Sequence, residues 1–182
     1  MLCGVPAIQS AIEMAFAQIH KKTEQSYSNH CPLYFQAQSN NVKRSFTLNP
    51  GQGANASHNG RSAIFNETLL EMETALPIQI SRVGLRTRST PEYKHQGGLG
   101  VEVHLQALDD VQFTWMTDLT GFKPREIKNL HPGENSEIIW SDQNESKPLK
   151  SSDSLHLKKG ESLILRSPNG GDFGKEKQKE PQ

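Results

Sequence analysis

Cysteine is almost absent from this chain, and its scarcity excludes several classes of protein. The two cysteines, Cys3 and Cys31, lie far apart, and no further Cys or His follows at the intervals of a metal finger. This pattern predicts neither a zinc finger nor a disulfide framework. Two reduced thiols are the favoured interpretation, with a single disulfide as the alternative.

An excess of charge of one sign is also missing. Twenty Lys and Arg residues balance twenty Asp and Glu residues, so the formal net charge is zero. No basic field is therefore available to attract a phosphate backbone, and we do not expect nucleic acid as a partner.

Apolar residues are few, at 34% of the chain, against about 45–50% in typical domains on a count that includes glycine. Either part of the chain is disordered, or a surface normally covered by other protein is left open. No segment approaches the roughly 18 uninterrupted apolar residues of a membrane span, and the start lacks the basic region of a signal peptide. The sequence thus predicts a soluble, cytoplasmic protein without a membrane partner.

One helix is predicted near the start. Ile8, Ile12, Ala15 and Ile19 recur at helical spacing between positions 6 and 22, and Pro6 suits a first helical turn. Packing against a core is the simplest role for this amphipathic segment.

Short alternating apolar segments follow and predict strands, separated by turn residues. They occupy positions 33–38, 45–48, 78–85, 99–108, 111–115, 138–140 and 163–165. The pattern predicts an α+β fold, in which the N-terminal helix precedes a mostly antiparallel, sandwich-like or barrel-like β-rich half. Residues 1–174 are expected to form a single domain, and residues 175–182, KEKQKEPQ, a disordered tail.

Glycine-rich loops are the main candidates for a functional site, since no nucleophile elbow, zinc-protease motif or P-loop occurs. Glycine permits close backbone approach, so these loops can present N–H groups to an anion or a carbonyl oxygen. The candidate substrate or backbone-donor residues are Gly51, Gly53, His58, Gly97, Gly98, Gly170 and Gly171. Ordinary turns and surface loops are the alternative, no catalytic residue is assigned, and no metal ligand is predicted.

Five segments in order resemble the C-terminal part of the B-type subunit of the hydantoinase/oxoprolinase family. The helix at 4–22 is the first. Residues 51–54 resemble a G-G-x-G-A loop, and Asn66, Glu73 and Pro77 fit an Asn-Thr-Pro-x-E-x-x-E segment that ends in proline. Residues 96–101 are similar to an R-G-G-x-G block, and residues 167–174 to a closing T-P-G-G-G-G block followed by an aromatic residue and glycine. The resemblance covers about residues 4–174.

Five positions depart from the family pattern, and two of them, Thr68 and Leu70, replace the Pro-x-Glu of the segment that ends in proline. Gln96 replaces the arginine before the paired glycines, and Asn169 and Asp172 replace two glycines of the closing block. Loss of the arginine removes a fixed fork of donors, while Asp172 adds a charge where bare backbone is expected.

The resemblance implies a C-terminal piece of a subunit that takes part in ATP-dependent hydrolysis of a cyclic amide, and that is inactive alone. It implies that metal-binding and catalytic parts lie upstream of Met1, with no cofactor bound by this chain, and with ATP and a divalent metal in the complete assembly. The implied partners are an A-type ATP-binding subunit and other B-type copies. A non-catalytic scaffold that docks onto such subunits is the alternative. A carbohydrate-binding sandwich, suggested by Trp115 and Trp140, is a third, with two core aromatics as the simpler explanation.

Overall fold

The computed structural model describes residues 12, 32–64, 69–89, 91–117 and 129–176. Apart from Ile12, the segment predicted to form the N-terminal helix lies outside these residues, as do both cysteines and residues 177–182. Within the described residues the chain forms one helix, α1 (Leu69–Ala75), and the strands listed next. The strands are β1 (Leu33–Ser39), β2 (Val42–Leu48), β3 (Ile78–Leu85), β4 (Tyr93–His95), β5 (Val101–Ala107), β6 (Val111–Met116), β7 (Leu130–His131), β8 (Glu137–Ser141), β9 (Ser146–Pro148), β10 (Ser152–Leu157), β11 (Ser162–Arg166) and β12 (Asp172–Glu176).

Two large antiparallel sheets carry most of these strands. The first has the order β10-β6-β1-β2 and the second the order β3-β5-β11-β8-β9. Strands β1 and β2 form a hairpin, in which Asn40 has a φ of 52°. Asparagine tolerates this left-handed conformation better than most residues, so it suits the turn.

One hydrophobic core joins the two sheets. Alternate residues of β5 and β11, such as Val103, Leu105 and Leu163, are almost fully buried and meet Phe113 of the first sheet. Because successive side chains of a strand point to opposite faces, the same strands place polar residues on their outer face. The predicted sandwich-like packing of alternating strands is therefore present.

A third sheet is small and has the order β4-β12-β7. It packs around a separate cluster of Ala54, Leu130 and Phe173, and the rings of Tyr93 and His131 stack at 3.9 Å between centroids. Strand β12 extends to Glu176, two residues into the segment expected to be a tail. This sheet places the end of the chain beside the glycine-rich loops.

The predicted α+β class is wrong. The described residues form antiparallel sheets with a single helix of seven residues, so the fold they define is β-rich. The predicted strands at positions 33–38 and 45–48 are present as β1 and β2, and β1 joins them to the first sheet by pairing with β6. Seven of the twelve strands in the described residues were predicted, because alternation of apolar residues reports burial on one face of a sheet. The sequence analysis missed the other five, β4, β7, β9, β10 and β12.

Both tryptophans belong to the core. Trp115 is 3% exposed and Trp140 is 7% exposed, and the indole N–H of Trp115 donates to the carbonyl of Lys150 at 2.8 Å. Neither ring presents a face on which a sugar can stack, which favours the core interpretation of these residues. As for membranes, none of the helical structure in the described part of the chain has the length and apolar content of a spanning segment.

Candidate functional site

Three glycine-rich loops, residues 51–62, 96–100 and 167–171, meet in one place, and we call their meeting point the glycine junction. The amide of Gly51 donates to the carbonyl of Pro168 at 2.9 Å, and that of Gly98 to the carbonyl of Gln52 at 2.7 Å. Gly170 completes the set by donating to the carbonyl of Gly98 at 2.8 Å. Each loop is thus bonded to the other two, although they are far apart in sequence.

Glycine is required in the junction because the backbones lie too close for a side chain. A Cβ atom placed on Gly98 would lie 1.8 Å from the carbonyl oxygen of Arg61, and one on Gly170 would lie 1.9 Å from that of Gln52. These distances are far below van der Waals contact, and the atoms that would clash are backbone atoms. The block of glycines in the sequence therefore reports close backbone packing.

The structure brings together the six glycines predicted as site residues. They are Gly51, Gly53, Gly97, Gly98, Gly170 and Gly171, and all are buried. The amides of Gly51, Gly98 and Gly170 donate to backbone carbonyls, as described above, and that of Gly97 donates to a carboxylate of Asp172 at 2.7 Å. Those of Gly53 and Gly171 have no acceptor among the described residues. Donation to a substrate stays a prediction, and of these two glycines Gly53 lines a cavity.

His58 lies at the exposed end of the first loop. The side-chain oxygen of Asn55 accepts the amides of Ser57 and His58 at 2.8 and 2.9 Å, which forms a tight turn. Because that oxygen is an acceptor, the other atom of the Asn55 amide is its NH₂ group, which lies 2.8 Å from Nε2 of His58. Nε2 therefore accepts this hydrogen bond, and the ring proton of neutral His58 is on Nδ1.

Two cavities open beside the junction and share Asn59 and Gly60. The first, of about 300 Å³, is lined by His58 together with Gln52, Gly53, Asn55, Asn59, Gly60 and Arg61. The second, of about 500 Å³, is lined by Asn59, Gly60, Ser62, Arg88, Glu92, Gln96, Gly97 and Leu99. The side-chain oxygen of Asn59 accepts the amide of Gln96 at 2.9 Å. This hydrogen bond fixes the position of Asn59, which lines both cavities. Of the predicted residues, His58 and Gly53 belong to the first cavity and Gly97 to the second.

A buried ion pair secures one side of the junction. The Asp172 side chain is 1% exposed and binds the guanidinium of Arg88, which also donates to the carbonyl of Gly97. Since Asp172 accepts the Gly97 amide as well, both polar groups of Gly97 are held by this pair. A buried carboxylate needs such partners, because an unpaired charge there would be strongly unfavourable. Arg88 was not identified from the sequence, where no pattern connects it with a residue 84 positions away.

Asn169 fixes the other side of the junction. Its side-chain oxygen accepts the amide of Gly100 at 2.7 Å, and its NH₂ group donates to Glu134 at 2.6 Å. The same carboxylate accepts the amide of Ser89 at 2.6 Å. The two closing-block residues that depart from the family's glycines are thus buried and bonded, and each ties the third loop to the second.

A chain of ion pairs extends from the junction across the outer face of the second sheet. Arg86 binds Glu137 at 2.8 Å, Glu137 binds Arg166 at 2.9 Å, and Arg166 binds Glu102 at 2.6 Å, where His104 also bonds at 2.8 Å. Burial acts to raise the pKa of Glu102, but hydrogen bonds from His104 and Arg166 outweigh it and hold that pKa below its usual value. The sequence shows the alternation of these polar residues, but not their pairing.

The β-rich fold and the glycine junction define a domain in which backbone loops, rather than a cluster of reactive side chains, form the candidate site. The sequence model of the family hydantoinase B/oxoprolinase matches residues 3–176. The chain belongs to the hydantoinase B/oxoprolinase family, which confirms the resemblance noted in the sequence.

Two curated relatives are similar over part of their length. An uncharacterised protein of Methanocaldococcus jannaschii is 28% identical over 109 residues, which are 60% of this chain and 19% of that protein. The 5-oxoprolinase of Dictyostelium discoideum is 27% identical over 139 residues, which are 70% of this chain and 11% of that protein. The chain therefore spans between a tenth and a fifth of these relatives.

Two solved structures share the fold. An ATP-dependent caprolactamase from Pseudomonas jessenii aligns with a TM-score of 0.66 and 17% identity. The alignment covers 88% of this chain and 32% of the caprolactamase chain. A nucleotide-free structure of acetone carboxylase, an enzyme of ATP-dependent acetone carboxylation, aligns with a TM-score of 0.59 and 14% identity. The alignment covers 87% of this chain and 28% of the acetone carboxylase chain. In both, the matched fold is about a third of a longer chain.

Proposed function

We propose that this chain takes part in the ATP-dependent hydrolysis of a cyclic amide, of the hydantoin or 5-oxoproline class, as the C-terminal part of a hydantoinase/oxoprolinase-type subunit. The observation that carries the proposal is the glycine junction, in which loops at 51–62, 96–100 and 167–171 assemble into one packed unit beside two cavities. Family membership supports it, as do the activities for which the similar 5-oxoprolinase and caprolactamase are named.

The proposed chemistry divides the work between chains. Transfer of the terminal phosphoryl group of ATP to the amide oxygen by an ATP-binding partner releases ADP and turns a poor electrophile into an activated one. Water then adds to the activated carbon, the ring C–N bond breaks as the nitrogen leaves as a protonated amine, and the phosphoryl group leaves as inorganic phosphate. The phosphoryl oxygens carry negative charge through these steps, and preorganised backbone N–H groups stabilise such charge. The amides of Gly53 and Gly171 are the candidate donors, and His58 lines the cavity nearest to Gly53.

ATP and the divalent metal belong, in this proposal, to the complete assembly. Within the described ranges, no three His, Cys, Asp or Glu side chains lie close enough together to hold a metal ion. On the family resemblance alone, we assign both groups to partner chains, an A-type ATP-binding subunit and other B-type copies. A cytoplasmic location is part of the same proposal, because the reaction consumes ATP.

The test is complementation of a truncated relative. The Dictyostelium 5-oxoprolinase without the segment that matches this chain is mixed with the full chain, and ADP release is measured with and without 5-oxoproline. We expect substrate-dependent ADP release only from the mixture. No release above that of the truncated enzyme alone would contradict the proposal, and turnover by the isolated chain would contradict the need for a partner.

A non-catalytic docking role is the second candidate. It is favoured by Gly51, Gly97, Gly98 and Gly170, whose amides are all engaged inside the junction, and by Asp172, which fills space beside them. In that case the mixture forms a stable complex, but ADP release is unchanged. Co-elution on gel filtration, measured on the same samples, separates the two candidates.

A further inference from the structure

The free edge of β3 differs from the other edges of the two large sheets. Strand β9 is three residues long, ends in Pro148, and places Lys147 over the ring of Trp140 at 4.5 Å. Strand β2 exposes Lys43 and Arg44, and β10 exposes Asp153. Short length, proline, exposed charge and β-bulges are the usual protections of a sheet edge against pairing with another chain. Strand β3 has an exposed Arg82 and a register shift between Ile80 and Arg82, but neither protection extends to the last three residues of the strand.

Strand β3 is eight residues long and leaves two apolar side chains open. Val83 is 42% exposed and Leu85 is 47% exposed. Their register partners on β5 are Val103 and Val101, which are buried in the core. Since paired residues of neighbouring strands share a face, Val83 and Leu85 lie on the core side of the sheet, where no other described part of the chain covers the end of the core.

The backbone N–H and C=O groups of Val83 and Leu85 face the open edge of the sheet and not the neighbouring strand β5. The amide of Arg86 donates to the carbonyl of Gly100 at 2.8 Å, on the side of β5. Because backbone groups alternate in direction along a strand, the amides and carbonyls of Leu85 and Val83 face the open edge. Nearer the start of β3 the edge is covered, since Glu73 of α1 accepts the amide of Ile80 at 2.6 Å. The open stretch is therefore residues 82–85, which we call the β3 edge.

Charge at the β3 edge indicates what kind of strand fits there. Arg82 lies on the outer face and its side chain is 52% exposed, with Nε 3.5 Å from Glu102. An incoming strand with apolar side chains on the core side and an acidic side chain on the outer side would satisfy both faces. A second copy fits less well, because antiparallel pairing centred on Gly84 would set Arg82 of each copy against Arg86 of the other.

We propose that the β3 edge binds an extended segment of a partner chain that carries the rest of a family subunit, and that this segment adds a strand beside Val83 and Leu85. Strand addition of this kind uses main-chain hydrogen bonds for affinity and alternate side chains for specificity. The relatives support this occupant, because in the caprolactamase and acetone carboxylase chains about two thirds of the polypeptide lies outside the matched fold. The inference rests on the proposed function only in taking such a subunit as the partner.

The test measures binding directly, apart from activity. The probe is the same truncated 5-oxoprolinase, titrated by calorimetry with the full chain, with the double variant Val83→Lys and Leu85→Lys, and with Leu108→Lys as control. Leu108 is 48% exposed, slightly more than Leu85, but lies beyond the end of β5. We expect the double variant to bind at least about tenfold more weakly and the control to bind like wild type.

Hydrogen exchange distinguishes strand addition from side-chain contact alone. Binding should slow exchange of the Val83 and Leu85 amides by at least about tenfold, while the Gly84 amide, which faces β5, should change little. Absence of binding by the wild-type chain, equal loss in the Leu108 variant, or unprotected Val83 and Leu85 amides in the complex would each overturn the proposal.

Two other occupants give distinct outcomes that also overturn it. If Val83 and Leu85 are protected in the monomer before the probe is added, a segment of this chain covers the edge. If the chain alone forms dimers that the double variant abolishes, the occupant is a second copy. Binding that depends on the β3 edge without any ADP release would contradict the proposed catalytic function and leave this inference standing.

Discussion

The core between the two large sheets and the glycine junction are both buried, but they are packed by opposite means. In the core, side chains such as Leu163 and Phe113 fill the space between strands. In the junction, backbones approach so closely that Gly98 has no room for a single carbon atom. The core is therefore sensitive to loss of volume, and the junction to any gain of it.

Gly98→Ala is expected to have the largest effect on stability. The added Cβ would lie 1.8 Å from the carbonyl oxygen of Arg61, so at least one backbone segment has to move and the hydrogen bond from Gly98 to Gln52 is strained. We expect a loss of more than about 4 kcal/mol in the free energy of unfolding, measured in urea, or failure to fold.

Leu163→Ala provides the matched change in the core. Leu163 is fully buried, and deleting its side chain should cost about 2–5 kcal/mol through lost contacts and a cavity. If Gly98→Ala instead cost less than about 1 kcal/mol, the loops would have to be adaptable, and the contrast between the two regions would be lost.

Asp172→Ala is expected to follow in size, at about 3 kcal/mol. It removes a carboxylate that holds the Gly97 amide and Arg88, and leaves the guanidinium of Arg88 mostly buried without that partner. Asp153→Ala, at an exposed carboxylate on β10, should change stability by no more than about 0.5 kcal/mol. Urea unfolding of both variants gives the comparison.

A double-mutant cycle tests whether the pair acts as a unit. Arg88→Ala and Asp172→Ala should together cost clearly less than the sum of the single changes, because each single change already removes the interaction between the two side chains. Additive costs would show that the two side chains stabilise the junction independently.

The core and the glycine junction also differ in how much of each could be predicted from the sequence. Strands such as β3 and β6 were located closely, because alternation of apolar residues records burial on one face. The glycine loops were found as blocks, but their joining depends on bonds such as Gly51 to Pro168, for which no local pattern exists. The helix α1 around Met72 was not among the predicted elements, because its seven residues are too few for the spacing of apolar residues to distinguish a helix from a strand.

The departures from the family pattern show why the site was only partly predictable. Asp172 was noted as an unexpected charge among glycines, yet its partner Arg88 lies in a loop after β3 with no distinguishing pattern. The sequence shows that a charge is present, and only the fold shows that it is paired. Polar residues in a backbone junction are therefore poor guides to chemistry until their partners are known.

The ion-pair chain beside the junction predicts a smaller, pH-dependent effect. Because its hydrogen bonds to His104 and Arg166 keep the pKa of Glu102 below the usual value of 4.5, ionised Glu102 stabilises the folded state. This contribution is complete above the unfolded pKa and is lost as the pH falls through the lowered folded pKa.

Glu102→Gln tests this dependence. The variant should be less stable at neutral pH, and its stability should fall less steeply than that of wild type below about pH 4.5. Urea unfolding at several pH values gives both slopes. Parallel slopes for the two proteins would show that the acid sensitivity arises elsewhere.

Gly84→Ala is expected to have the smallest effect and sharpens the comparison most directly. Gly84 lies in β3, and no atom outside its immediate neighbours lies within 4 Å of a Cβ built there. Alanine restricts the unfolded chain more than glycine does, so we expect a change within about 1 kcal/mol, in the stabilising direction. The same chemical change thus has opposite expected signs at Gly84 and Gly98. A large loss at Gly84 would mean that the β3 edge is already covered in the free protein, and that glycine there, as in the junction, is kept by close packing.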